Sequence, residues 1–125
     1  MYAFAIPFLL LVGGLLALQA AANVQLSAAA GSPAAGATLQ LAVGAAVLLV
    51  VAAAAGTLTA LTLHAPWWHL LGGLGSALYI SSGILLFPRL GAVLTVGLLI
   101  AGQMLASLAV DTNGWLGVDE QPLTA

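Results

Sequence analysis

The sequence has almost no charge. Of its 125 residues one is Lys or Arg and three are Asp or Glu, so charged residues make up 3% of the chain. An ordinary soluble domain carries about 25%. The shortage is also uneven. Residues 1–88 hold no Lys, Arg, Asp or Glu, and the four charges are Arg89, Asp111, Asp119 and Glu120. No water-exposed surface is built this way, which excludes a soluble globular enzyme and a disordered tail. A nucleic-acid binder is excluded too, because it needs a basic patch. Cysteine is absent, which removes disulfides, thiolate chemistry and Cys-based metal sites. No GxSxG, Walker-type or HExxH motif occurs. Gly72-Gly73-Leu74-Gly75 lies inside an apolar segment and reads as a packing surface rather than a phosphate cradle. The expectation is a protein that is not an enzyme and carries no cofactor or metal.

What the chain does have is apolar length. Hydrophobic residues make up 63%, and the mean hydropathy is +1.22. A bilayer core of about 30 Å needs roughly 20 apolar helical residues. Lipid offers the backbone no hydrogen-bond partners, so spans must be helices or closed barrels. A barrel requires period-two alternation, which Leu9-Leu10-Leu11 and the run from Val51 to Ala55 lack. The expected fold is therefore all-α: one membrane domain over 1–125 with four transmembrane helices at about 4–26, 33–61, 66–87 and 90–110, and a short polar tail at 111–125. Gly31-Ser32-Pro33 reads as a loop, a Ser N-cap and a Pro at the first helical position. Pro66 and Pro88 are read as starting the third and fourth helices in the same way. Trp67, Trp68 and Trp115 fall at span ends, where indoles favour the headgroup zone. Ala20-Ala21-Ala22 resembles a signal-peptide cleavage site, but residues 1–5 lack a positive side chain and the apolar stretch is long, so the first segment reads as a span. Arg89 alone votes for orientation. It places the loop before the fourth helix in the cytoplasm, with so small a bias that insertion both ways is compatible with it.

Helix surfaces rich in small residues let backbones approach in lipid. In the third helix Gly72, Gly75, Ser76, Tyr79, Ser82 and Gly83 recur at spacings of three and four. In the fourth, Gly91/Thr95, Gly97/Ala101 and Gly102/Ala106 are small pairs four apart. Gly72, Gly75, Gly83, Gly97 and Gly102 are the expected helix-packing positions.

Polar side chains inside spans turn toward the bundle or a cavity, because lipid penalises them. Gln19 and Asn23 are four apart in the first helix, Gln40 shares a face with Gly36 and Gly44 in the second, and Gln103, Ser107 and Asp111 step by four in the fourth. The candidate substrate-pathway residues are Gln19, Asn23, Ser76, Tyr79, Ser82, Gln103 and Ser107, lining a route for an uncharged or weakly charged solute. Plain interhelical hydrogen bonding is the competing reading, and both remain open. No carboxylate lies in the middle of a span. Asp111 sits at a helix end, where a solvated flank is the better reading than a proton carrier. Arg89, Asp111, Trp67 and Trp68 are the interface or anchoring candidates. His64 and His69 are five apart with no third ligand nearby, a poor basis for a metal site.

Four strings carry a family resemblance: Leu18-Gln19-Ala20-Ala21-Ala22-Asn23; Pro66-Trp67-Trp68 followed by the run Gly72 to Tyr79; Pro88-Arg89-Leu90-Gly91-Ala92; and Ala101-Gly102-Gln103-Met104-Leu105-Ala106-Ser107. In this order they resemble the YdcZ-like family of inner-membrane exporters in the drug/metabolite transporter superfamily. The resemblance spans roughly Gly13 to Val118. It implies a half-size relative of the ten-helix transporters, similar in plan to the small multidrug resistance proteins, which work as antiparallel dimers. By that resemblance Gln19, Asn23, Tyr79, Arg89 and Gln103 are the family-pattern polar positions. The sequence departs from the multidrug pattern in having Gln19 and Asn23 where that group carries an embedded glutamate. The resulting expectation is a multi-pass inner-membrane transporter, an exporter of a small metabolite. It would work as an antiparallel homodimer or as a heterodimer with a homologous subunit, with the lipid bilayer as its surroundings and no nucleic-acid partner. The alternatives are a non-transporting subunit that stabilises a partner or handles a lipid, and a narrow channel.

Overall fold

The computed structural model describes residues 2–60 and 66–114. His64 and Trp115 lie outside the described residues. Four helices follow one another: α1 (Tyr2–Ala30), α2 (Pro33–Ala54), α3 (Leu71–Leu90) and α4 (Ala92–Asn113), with short 3₁₀ turns at Leu58–Ala60 and Trp67–Leu70. All four are long and apolar enough to cross a membrane. The shortest such stretch has 22 residues, which at 1.5 Å per residue covers a hydrocarbon core of about 30 Å. Helices α1 to α3 form one compact unit, and α4 belongs to a second.

The turn between α1 and α2 explains their pairing. Gly31 takes a φ of +80°, a left-handed conformation that glycine adopts without a Cβ penalty. Ser32 then caps α2: its side chain accepts a hydrogen bond from the Ala35 N–H at 3.0 Å. Pro33, the first residue of α2, has no N–H to leave unsatisfied there. A connection of only Gly31 and Ser32 forces the two helices into an antiparallel hairpin.

Several boundaries differ from the sequence reading; α4, for one, runs to Asn113 rather than 110. Helix α1 continues past Leu26 to Ala30, because nothing breaks it before Gly31. Helix α2 stops at Ala54, short of the expected 61. There Gly56 adopts a φ of +69°, and the N–H groups of Gly56 and Thr57 donate to the carbonyls of Ala53 and Ala52, a Schellman closure. Pro88 does not start the fourth helix. It lies in the last turn of α3, which ends where Gly91 turns to a φ of +81° and donates back to the Phe87 carbonyl. Pro66 precedes a 3₁₀ turn that runs directly into α3.

The burial pattern is inverted relative to a protein in water. Among the described residues, leucines and valines along all four helices are exposed, as a lipid solvent permits. Asn23 and Ser27, by contrast, are only 8% and 7% exposed. The apolar core is small: Ala37 of α2 meets Ile80 and Ile84 of α3, with Leu41 packed alongside. With no hydrophobic drive between helices in lipid, cohesion rests on close packing and polar contacts.

Candidate functional site

A close backbone approach sets the register of the α1–α2 hairpin. Gly36 is buried, and a Cβ placed on it would lie 2.5 Å from Ser27 Cα. Only a residue without a side chain fits there. Ser27 and Gly36 are equally far from the centre of the Gly31–Ser32 turn. One turn further from the loop, the same antiparallel register sets Asn23 against Gln40, and a turn beyond that it sets Gln19 against Gly44. Gln19 and Gln40 are half-buried and Asn23 is buried, so the hairpin carries a column of three carboxamides. At about 100° per residue, Gln40 points about 40° from Gly36 and about 60° from Ala37. It therefore lies in the wedge between the face that meets α1 and the face that meets α3. Gln40 Oε1 is buried and has no hydrogen-bond partner among the described residues.

Helix α3 presents two faces. Ile80 and Ile84 turn to α2. On the same helix, Tyr79 and Ser82 point about 100° and 160° away from Ile80, so they flank or oppose the packed face. Tyr79 is 36% exposed. The hydroxyls of Ser76 and Ser82 donate to the carbonyls of Gly72 at 3.1 Å and Leu78 at 2.6 Å, satisfied within their own helix. Gly83 is buried, whereas Gly72 and Gly75 are exposed with open space where a side chain would project. Gly75, Tyr79 and Ser82 of α3 thus point away from Ile80, whereas Gly83 is buried with the packed face. No hydrogen bond joins Gln19 or Asn23 to Ser76, Tyr79 or Ser82 among the described residues.

Helix α4, taken by itself, carries Gln103, Ser107 and Asp111 along one face beside an open recess of about 490 Å³ that Met104 and Leu108 also line. Asp111 is the one carboxylate among the described residues. Gly97 and Gly102 are exposed, with open space at the Cβ position.

The anchoring candidates lie at helix ends. Trp67 and Trp68 open the 3₁₀ turn before α3, and Arg89 sits in the last turn of α3. The Trp68 and His69 rings meet edge-on, with centroids 3.9 Å apart. No group of three potential metal ligands occurs among the described residues.

Sequence reasoning passed over Ser27 and gave Gln40 no site role. Ser27 continues the four-residue spacing of Gln19 and Asn23, but it fell beyond the expected end of the first span. Gln40 lacked an evident partner until the turn fixed the register.

Compared with known proteins, the chain matches one family model over residues 4–125, that of the drug/metabolite transporter family described as "Putative inner membrane exporter, YdcZ". No curated protein and no solved structure matches the chain.

Proposed function

The chain belongs to this YdcZ family and is a multi-pass inner-membrane transporter, and from that premise we propose that it acts as a dimer exporting a small uncharged or weakly charged metabolite. The observation that carries the reading is chemical. Residues 1–88 contain no charge, yet carboxamides and a tyrosine occupy the spans where lipid penalises polar groups. An ionic solute would find no counter-charge along α1 to α3 before Arg89. A neutral one finds hydrogen-bonding groups at Gln19, Asn23 and Tyr79, and on α4 at Gln103 and Ser107.

A chain of four spans has little room for a path of its own, so a pathway fits better between two copies than inside one. The open arc around Gly72, Gly75 and Tyr79 supports that arrangement, as small residues favour close helix contact. An antiparallel homodimer suits a chain with one cation to orient it. The protein then carries no chemistry of its own; it moves a solute unchanged.

Flux from proteoliposomes across a panel of neutral and charged metabolites tests the reading. A neutral solute should move, and both Gln19→Ala and Gln103→Ala should slow it while the dimer stays intact. Loss of the dimer in these variants, with no flux from the parent protein for any solute, would favour a partner-stabilising subunit instead.

A further inference from the structure

We infer that Gln40 is a solute-binding residue, whose carboxamide takes a neutral ligand carrying an N–H or O–H donor in the wedge between α1, α2 and α3. The inference rests on the transporter reading for its purpose and adds a residue and a ligand chemistry to it.

The argument starts from an unpaired atom. Gln40 Oε1 is buried and accepts no hydrogen bond among the described residues. Leaving a buried acceptor unmade is costly, and native structures rarely tolerate it without a reason. The apolar neighbours supply no donor. The neighbouring positions on α2 are Gly36, Ala37 and Leu41, and the facing residues of α3 are Ile80 and Ile84. Asn23 stands opposite in register, yet no bond forms between the two amides.

The parts around this atom differ in rigidity. Helices α1 and α2 meet backbone to backbone where Gly36 seats on Ser27, and a short capped turn ties them. Helix α3 contacts α2 through Ile80 and Ile84 against Ala37, an interface of aliphatic side chains that slides more readily than interlocked backbone. Helix α3 also packs along α1, but none of its glycines meets a neighbour within 4 Å, so in this proposal the hairpin is the fixed element and α3 the one that shifts. A modest shift of α3 opens the wedge, and the acceptor sealed in this arrangement then meets a solute donor. With no charged side chain in residues 1–88, the wedge selects against ions. A carboxamide presents an acceptor and a donor side by side, which suits primary amides, polyols and nucleosides.

The test compares the parent protein with Gln40→Leu and Gln40→Met in detergent. Equilibrium dialysis uses radiolabelled nicotinamide, glycerol and uridine, with N,N-diethylnicotinamide and nicotinate as the donor-free and anionic counterparts of the first. The unfolding equilibrium in SDS is measured in parallel. We expect at least one donor-bearing probe to bind the parent protein. Its affinity should fall about tenfold or more in both variants, the size of a lost buried hydrogen bond, and nicotinate should not bind. Both variants should fold as well as the parent or better, by up to about tenfold in the folding equilibrium, because the orphaned acceptor is gone. Loss of stability in both variants would show that the acceptor is satisfied within the fold, and would overturn the inference. So would equal binding by parent and variants, or no binding of any probe. Vesicle flux separates the two readings: binding that depends on Gln40 without any flux would sink the transporter reading and leave the Gln40 site standing.

Discussion

Gly36 lies against Ser27 so closely that a Cβ at Gly36 would come within 2.5 Å of Ser27 Cα and 2.9 Å of its backbone nitrogen. The third obstructing atom is Ser27 Cβ at 2.7 Å, and none of the three moves with a rotamer change. Gly36→Ala should therefore push the hairpin apart and destabilise the protein by about 1–3 kcal/mol, the usual cost of overpacking. Gly13 provides the contrast, being helical with nothing within 4 Å of its Cβ position. Gly13→Ala should stabilise by about 0.5–1 kcal/mol through helix propensity alone. SDS unfolding of the two variants checks both signs, and equal effects would show that the close approach does not hold the helices.

The turn makes its own contribution. Ser32→Ala removes the side-chain acceptor of the Ala35 N–H and should cost about 1 kcal/mol. Gly31→Ala forces a Cβ into a φ of +80° and should cost about 1–2 kcal/mol. Ser32→Asp keeps an acceptor and should retain most of the stability. If Ser32→Ala proves silent in the same unfolding assay, the cap does not fix the entry of α2.

Much of this architecture was legible in the sequence. The lack of charge over 1–88 marked the membrane, and Gly31-Ser32-Pro33 marked the hairpin turn. The helix ends were less legible, because glycines at positive φ set them. Gly56 stops α2 early, and Gly91 lets α3 run through Pro88. Proline reads as a stop in one dimension, yet α3 continues past Pro88 to Leu90 before Gly91 closes it. The candidate site was half legible. The four-residue step from Gln19 to Asn23 was visible, but the pairing of Asn23 with Gln40 depends on a register that only the turn and the Ser27–Gly36 contact define.

Orientation rests on Arg89, the single Lys or Arg of the chain. The absence of cysteine makes Ala29→Cys and Asn113→Cys, both at exposed positions, clean reporters for a membrane-impermeant thiol reagent. Each should label in part from both sides of the membrane, as dual insertion requires. Arg89→Gln combined with Asn113→Lys, read at the Ala29→Cys reporter, moves the cation to the other end of α4 and should shift the ratio the other way. Labelling from one side only, unchanged by the swap, would eliminate the antiparallel homodimer and direct attention to an oppositely oriented partner chain.

Asp111 is where coupling chemistry would be sought, since no other described residue is a carboxylate. It ends the Gln103–Ser107–Asp111 face of α4 and borders the recess there. If the solute is neutral and the route uncharged, this carboxylate is a solvated end of the ladder and Gln103 carries the recognition. Asp111→Asn should then leave initial flux within about twofold, whereas Gln103→Leu should lower it about tenfold, the size of a lost hydrogen bond to the solute. Proteoliposomes with and without an imposed pH gradient provide the check. The decisive contrary result is specific: Asp111→Asn abolishing gradient-driven accumulation while solute exchange persists. That pattern would make Asp111 the carrier of the coupling ion, and the exported solute would no longer need to be neutral, because the charge of the pathway would reside on α4.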